Sequence, residues 1–285
     1  MTPAGAAAGK GVILCADDFA VHAGASLGIA ALARQRRISA TSVMVLSPRW
    51  SQDVGLLRDL PQKIDVGLHL DWTSAFAAAS GHGMSLPVAM LQATLGGFGR
   101  AANAGRTRAQ IERQLDLFEA QWKAAPDYVD GHQHVQQFAG IREALVAALL
   151  SRYAGRSPGR RPGRMPYLRI SRAASGQADL KSRVIAALGA DALEKLAVQA
   201  GIGVAGSLSG IYDFAGDQAR YGRLMARWLA AAPERSIIMC HPAQTAPADD
   251  AIGAARAWEF AYLGGADFPA ALAKAGVRLV RGVAA

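Results

Sequence analysis

Short, continuous apolar segments alternate with longer amphipathic patterns along almost the whole chain, and this alternation constrains its fold more than any other feature. Most apolar segments are uninterrupted by polar residues, as is typical of strands buried on both faces of a parallel sheet. Eight strands are predicted in this way, over Val12–Ala16, Thr41–Leu46, Ile64–Leu70, Tyr128–His132, Tyr167–Ile170, Gly203–Ser207, Ser236–Cys240 and Val277–Val280.

Between these strands, apolar residues recur at the three- and four-residue spacing of a helix. The alternation over 285 residues predicts a single-domain α/β fold, an irregular TIM-like (β/α) barrel whose active site lies at the carboxyl ends of the strands. The predicted helices are Ala23–Arg36, Thr107–Lys123, Ile141–Leu150, Asp179–Gln199, Gln218–Ala231 and Ala251–Leu263.

Two segments interrupt the alternation. The segment 73–106 is long and Gly-rich, so we expect it to form an excursion over the barrel mouth with a short helix around Ser85–Leu95. Residues 152–166 are predicted to form a second, looser excursion. Residues 1–11 are rich in Ala and Gly, lack the apolar core of a signal peptide and are expected to be flexible. Without a repeat or an interdomain linker, residues 1–285 are predicted to form one domain.

Charge narrows the class of partner only slightly. The formal net charge of +9 favours acidic partners. Much of it lies in a Pro/Gly-rich stretch that we interpret first as a solvated loop. No predicted helix combines a long basic face with interleaved aromatic residues, which argues against nucleic-acid binding. The arginines of this stretch are Arg156, Arg160, Arg161, Arg164, Arg169 and Arg172.

The cysteine content and the hydropathy of the chain indicate the cellular compartment in which it is expected. Cys15 and Cys240 are too few for a disulfide framework and are predicted to be small buried residues within strands. No stretch of the sequence contains the run of about 18 apolar residues that a transmembrane helix needs, so we expect a soluble, cytoplasmic protein.

Two adjacent carboxylates, Asp17 and Asp18, stand where the first predicted strand ends. Neighbouring like charges repel and lose hydration on burial, so they rarely occupy such a place without compensation. A divalent cation compensates them by fixing one carboxylate while the other serves as a base. The alternative is an ordinary helix N-cap. The sequence at this point leaves both interpretations open.

Histidines also fall at or just beyond the ends of predicted strands: His69, His132, His134 and His241. In a βα barrel these ends converge on one face, so we expect the histidines to meet the aspartates there. Two imidazoles and a carboxylate leave positions open for water and substrate, which is typical of catalytic metal sites. Trp72, two residues beyond Leu70, could stack on a sugar or pack at the barrel rim.

Four segments resemble the blocks of the YdjC-like carbohydrate deacetylases, in the order expected for that family. They are Cys15–Phe19, Gly67–Leu70, Asp130–Val135 and Met239–Pro242. The resemblance implies a distorted (β/α) barrel and metal-dependent hydrolysis of an N-acetyl group on a sugar. The chain departs from the family pattern at Ala20 and Ala243, where Gly is common, and at Gln136, where a further His is frequent.

The resemblance also implies roles for individual residues. Asp18, His69 and His132 correspond to ligands of one divalent ion, Mg²⁺ or Zn²⁺. Asp17 corresponds to the general base, and His241 is a candidate acid on the opposite side of the substrate. Three residues are expected around them: Arg169, similar in placement to a family arginine; Asp130, which orients an imidazole or serves the strand–loop corner; and His134, which lines the pocket.

Other functions are compatible with the same residues. A metal-dependent phosphoesterase or another amidohydrolase could use this barrel, although such sites often assemble ligands for two metals. A non-catalytic sugar-binding protein would gain little from a free base beside the metal. The expected partner is an acetylated saccharide, which Arg160 and Arg161 could meet if it is anionic or lipid-linked, and a homodimer is plausible.

Overall fold

The computed structural model describes residues 9–60, 64–154, 164–174 and 180–282. Within them an all-parallel sheet curls in the order β5-β4-β3-β2-β1-β7-β6, and β8 pairs with the first residues of β1. The strands are β1 (Lys10–Phe19), β2 (Ala40–Val43), β3 (Asp65–Leu70), β4 (Tyr128–Gly131), β5 (Tyr167–Leu168), β6 (Leu208–Ser209), β7 (Ile237–Cys240) and β8 (Val277–Leu279). The predicted single-domain, TIM-like α/β fold is confirmed.

Helices surround the curled sheet and cover its outer face. They are α1 (Ala23–Arg34), α2 (Arg49–Asp53), α3 (Ala75–Ala79), α4 (Leu86–Thr94), α5 (Ala101–Trp122), α6 (Ile141–Tyr153), α7 (Leu180–Ala187), α8 (Ala190–Gln199), α9 (Gln218–Ala231), α10 (Gly253–Gly264) and α11 (Asp267–Ala275). Short 3₁₀ turns occupy residues 54–57 and 132–137. None of the helices in the described ranges is long and apolar enough to cross a bilayer.

The sixth strand lies later in the chain than predicted. The sequence places it at Gly203–Ser207, whereas β6 is Leu208–Ser209. The predicted segment has a different partner, because Leu168 donates to the Gly203 carbonyl and accepts from the Ala205 amide, each at 2.9 Å. The chain from 203 to 209 therefore connects β5 to β7 and draws the two edges of the sheet together.

Two helix predictions also need correction, and the excursion at 73–106 contains one helix more than expected. The helix expected over Asp179–Gln199 is two helices, divided at Gly189, whose φ of 127° is a backbone conformation that side chains disfavour. α5 begins at Ala101 rather than at Thr107. The excursion at 73–106 contains α3 as well as α4, which corresponds to the short helix expected around Ser85–Leu95. Much of the predicted excursion at 152–166 lies outside the described residues.

Two apolar clusters fill the fold, one on each face of the sheet. The larger lies between the sheet and the helices and includes Trp50, Phe118 and Phe138. The smaller joins residues that alternate along the strands, such as Ile13, Cys15, Tyr128, Tyr167 and Met239, and fills the barrel interior. Its packing leaves no room for a side chain at Gly67, where a Cβ would lie 2.4 Å from the Tyr128 ring.

Candidate functional site

The barrel interior changes from apolar to polar toward the carboxyl ends of the strands. Successive side chains of a strand point to opposite faces, so the residue two positions beyond an inward apolar residue also points inward. Cys15 is thus followed by Asp17, Tyr128 by Asp130, and Tyr167 by Arg169. The same alternation places His69 after Gly67, Ser42 after Ala40, and His241 after Met239.

Asp17 and Asp130 share one buried arginine. Arg169 donates to both oxygens of Asp17, at 2.7 and 2.9 Å, and its Nη1 lies 2.8 Å from Asp130 Oδ2. Burial alone raises the pKa of Asp17, but the Arg169 guanidinium outweighs it and holds that pKa well below its usual range. The Cys15 thiol donates to the same carboxylate at 3.2 Å. Asp17 is therefore ionised and fixed in orientation.

Asp130 also orients the imidazole of His69. Its Oδ1 lies 2.6 Å from His69 Nδ1, and its Oδ2 accepts a hydrogen bond from Ser42 at 2.6 Å. Burial lowers the pKa of His69, but Asp130 outweighs it and raises the pKa to about 10. The bond at Nδ1 leaves Nε2 directed at Asp18, 3.5 Å from its Oδ1. Of the two roles expected for Asp130, the geometry favours the orientation of an imidazole.

Asp18, His69 and His132 converge on one point. One donor atom from each lies within 4.8 Å of the others, and His132 Nδ1 is 3.2 Å from Asp18 Oδ1. The backbone turns sharply here, because Asp18 and Ala20 adopt φ values of 66° and 73°. Only glycine enters this conformation freely, so Ala20 is strained at a position where the resemblance implies glycine.

The buried charges fit a divalent cation. Ion pairs join four carboxylates, of Asp17, Asp18, Asp130 and Asp250, to the guanidinium groups of two arginines, Arg169 and Arg256. Ligation requires neutral histidines, so a bound cation would displace the proton that the raised pKa keeps on His69. The four paired carboxylates then exceed the two arginines by two negative charges, which is the charge that one divalent cation balances. A carboxylate and two imidazoles are also a donor set suited to Zn²⁺ or to similar divalent ions. The second group of nearby donors, Cys15, Asp17 and Asp130, already surrounds Arg169.

His241 directly follows β7, and its backbone is held by two hydrogen bonds. Its amide donates to Glu259, its carbonyl accepts from Arg256 at 3.4 Å, and its ring meets the Phe214 ring edge-on with centroids 5.3 Å apart. The Nδ1 atom has no hydrogen-bond partner among the described residues. Burial lowers the pKa of His241 to about 4, so the imidazole is neutral at neutral pH.

His134 is brought to the rim of the same cluster. Gln133 and His134 have φ values of 52° and 65°, a left-handed step that turns the chain at the end of β4. His134 Nδ1 lies 3.0 Å from Ser171 Oγ, and burial lowers its pKa to about 3. Gln136, where the resemblance implies a further histidine, donates to the carbonyl of Arg169 and to Ser171. Its amide thereby supports the backbone of the arginine that binds Asp17.

Trp72 is packed into the rim. Only 2% of its surface is exposed, and its ring meets the edges of His82 and Phe98 at centroid distances of 5.7 and 6.4 Å. Of the two interpretations that the sequence left open, this burial favours packing over stacking on a sugar. His82 belongs to the same cluster and bonds the Asp71 carbonyl at 3.1 Å.

Two buried charged residues of the site escaped the sequence prediction. Arg256 donates to Asp18 Oδ2 at 2.8 Å, and Glu259 binds the His241 amide and the Tyr212 hydroxyl. Both lie on the buried face of α10, in register with Ala255 and Tyr262. Charged residues on the apolar stripe of a predicted helix were the signal that could have revealed them.

The fold and the site define a βα barrel with a buried cluster of acidic, basic and imidazole groups at the carboxyl ends of its strands. The model of the YdjC-like protein family matches residues 11–274. The chain therefore belongs to the YdjC-like family.

One solved structure supports this fold. The chain is similar to a protein of Enterococcus faecalis V583 described as a cellobiose-phosphate cleavage protein, with 17% identity, a TM-score of 0.66, and coverage of 96% of this chain and 97% of the other. It overlaps more loosely with the Bc1960 peptidoglycan N-acetylglucosamine deacetylase, at 12% identity, a TM-score of 0.47, and coverage of 95% and 85%. A search among curated proteins finds no match.

Proposed function

We propose that this protein is a metal-dependent hydrolase that removes the N-acetyl group from an acetylated amino sugar. The observation that carries the proposal is the convergence of Asp18, His69 and His132 within 4.8 Å beside the ionised Asp17, in a chain of the YdjC-like family. Asp18, His69 and His132 would hold one divalent ion, Mg²⁺ or Zn²⁺. When bound, this ion polarises the acyl carbonyl and acidifies the attacking water.

Asp17 acts as the general base in this proposal. It lies next to Asp18 in the chain, and Arg169 keeps it charged and fixed. A carboxylate of low pKa is a weak base, so it accepts a proton only from a water that is already acidified. Asp17 therefore orients the water and takes up its proton as the carbon–oxygen bond forms.

His241 acts as the acid on the other side of the substrate. Because its pKa is about 4, it is neutral when the substrate binds. The proton that Asp17 accepts from the water must therefore pass to His241 before His241 can protonate the departing amine, and this transfer leaves Asp17 ionised again. Its unpartnered Nδ1 is available for this transfer. His134 lines the pocket beside these groups.

Release of acetate from N-acetylated saccharides tests the proposal. Purified protein loaded with Zn²⁺ or Mg²⁺ is expected to release acetate, and a chelator should abolish the release until metal is restored. Phosphate release from phosphate esters, without acetate release, would instead favour the phosphoesterase. Saccharide binding without turnover would favour the binding protein.

A further inference from the structure

The two carboxylate oxygens of Asp18 have different partners. Oδ1 faces the imidazoles, 3.2 Å from His132 Nδ1 and 3.5 Å from His69 Nε2. Oδ2 accepts a hydrogen bond from Arg256 Nη2 at 2.8 Å. Both side chains of this pair are nearly inaccessible to solvent, with 3% of Asp18 and 5% of Arg256 exposed. Only one oxygen of Asp18 is thus directed at the histidines.

Arg256 is itself held in place through its other nitrogens. Its Nε donates to Asp250 Oδ2 at 2.8 Å, and its Nη1 donates to the His241 carbonyl at 3.4 Å. A planar guanidinium with three separate acceptors cannot turn away from one of them without losing the others. Arg256 is therefore a rigid donor to Asp18.

Asp250 is anchored in turn. Its Oδ1 accepts from the Ile252 amide at 3.0 Å, and its Oδ2 lies 3.2 Å from His22 Nε2. His22 is the N-cap of α1, where its Nδ1 accepts from the Ala25 amide. The chain of contacts thus runs from the loop before α10 and the start of α1 to Asp18.

From these contacts we propose that Arg256 is a positioning residue that restricts Asp18 to a single donor oxygen toward the cation; the inference rests on the metal ligands assigned above. A carboxylate that is free at both oxygens can chelate a divalent ion and occupy two of its positions. With Oδ2 held by Arg256, the second position stays open. An open position is what a catalytic site requires for water and substrate.

The test uses Zn²⁺ as the only added ligand. Crystal structures of the zinc-loaded protein should place Asp18 Oδ1 at about 2.0–2.2 Å from the ion in the wild type, with Oδ2 outside bonding distance. In Arg256→Gln both oxygens should lie within bonding distance of the ion. Arg256→Lys, which keeps a cationic donor for Oδ2, should restore ligation through one oxygen.

Two further variants separate this role from general stabilisation. Arg152→Gln removes another largely buried arginine, one that pairs with Glu112, Asp116 and Glu119 on α5, and should leave the zinc geometry unchanged. If Arg256→Gln does not fold, Asp250→Asn provides the same test. This substitution weakens the hold on Arg256 Nε, so Arg256 should release Asp18 Oδ2 and both oxygens of Asp18 should bind the ion.

Zinc affinity provides a second measurement, made by competition with a chromophoric chelator. Arg256→Gln should bind Zn²⁺ as tightly as the wild type or more tightly, because Asp18 gains a bond and loses a competing cation. Ligation by both oxygens in the wild type, by one oxygen in Arg256→Gln, or a tenfold weaker affinity in that variant would overturn the inference. No substrate is used, so failure of the deacetylase proposal would be seen separately.

Discussion

Arg169 binds both carboxylate oxygens of Asp17, through Nη1 at 2.7 Å and Nη2 at 2.9 Å. Two parallel charge-assisted hydrogen bonds fix a carboxylate in angle as well as in position. The same guanidinium reaches Asp130, which bonds His69. One arginine therefore connects the proposed base to a proposed metal ligand, and the geometry of one depends on the other.

Asp17→Asn is expected to lower kcat by at least about 10²-fold, the range for loss of a general base. Metal content, measured by elemental analysis, should stay near the wild-type value, because Asp17 is not among the proposed ligands. Asp53→Asn is the matched control, since Arg49 binds Asp53 in the same two-bond manner on α2, and it should keep full activity. Full activity of Asp17→Asn would show that the base is misassigned.

His69→Ala and His132→Ala should each lose bound metal, because each removes one of three proposed ligands. Elemental analysis after dialysis should give less than one tenth of the wild-type stoichiometry, and activity should fall in parallel. His82→Ala, which removes a histidine that contacts Trp72, should keep its metal. Intact stoichiometry in both site variants would contradict the ligand assignment.

Seven of the eight strands, and the meeting of the site residues at the carboxyl ends of the strands, could be predicted from the sequence. Continuous apolar runs indicated buried parallel strands, and titratable residues at their ends indicated where chemistry collects. The run at 203–207 misled, because it pairs with β5 through isolated bonds rather than forming a regular strand. An apolar run predicts that a segment is buried but not which strand it pairs with. For a short segment, the pairing partner depends on contacts with residues distant in the chain.

The remaining parts of the site depend on such distant contacts. Arg169 stands in a sequence of loop-like arginines, yet only 1% of it is exposed, because two carboxylates on other strands neutralise it. Arg256 reaches Asp18 across 238 positions of sequence. The left-handed residues Asp18 and His134 carry no sequence signal either, since their neighbours in space impose the conformation.

Glu259 should make the stability of the protein depend on pH. Burial raises its pKa from 4.5 to about 7, so the native state keeps a proton that the unfolded chain releases between these values. The stabilisation of the native state by this proton is therefore complete below pH 4.5. As the pH rises to 7 the stabilisation is lost, and the free energy of unfolding falls by about 3 kcal/mol.

Urea unfolding between pH 5 and pH 8 measures this effect. Glu259→Gln should show a flatter dependence of the free energy of unfolding on pH than the wild type. Glu143→Gln changes a carboxylate that is 48% exposed and should keep the wild-type dependence. Equal slopes in the wild type and in Glu259→Gln would refute the assignment.

Trp72→Phe distinguishes packing from sugar stacking. If Trp72 only packs against His82 and Phe98, the smaller ring should lower stability by about 1–3 kcal/mol and leave KM for the saccharide within twofold. Trp50→Phe, in the core beside Phe118, is the control for stability alone. A tenfold rise in KM confined to Trp72→Phe would favour direct contact with the sugar.

The arginine-rich stretch offers a last test, of an anionic or lipid-linked substrate. Two of its arginines are already paired: Arg169 with Asp17, and Arg172 with Asp191 and Glu194. Arg160 and Arg161 lie outside the described residues, so the prediction rests on their charge alone.

Arg160→Glu combined with Arg161→Glu should raise KM for an anionic saccharide at least fivefold at low salt, and the difference should shrink as added salt screens the charges. KM for a neutral saccharide should not change. Arg223→Glu with Arg227→Glu alters the net charge equally on the exposed face of α9 and is the matched control. If KM for the anionic saccharide rises equally in both double variants, the net charge of the protein is the cause. If KM does not rise in Arg160→Glu with Arg161→Glu, the arginine-rich stretch has no part in substrate binding.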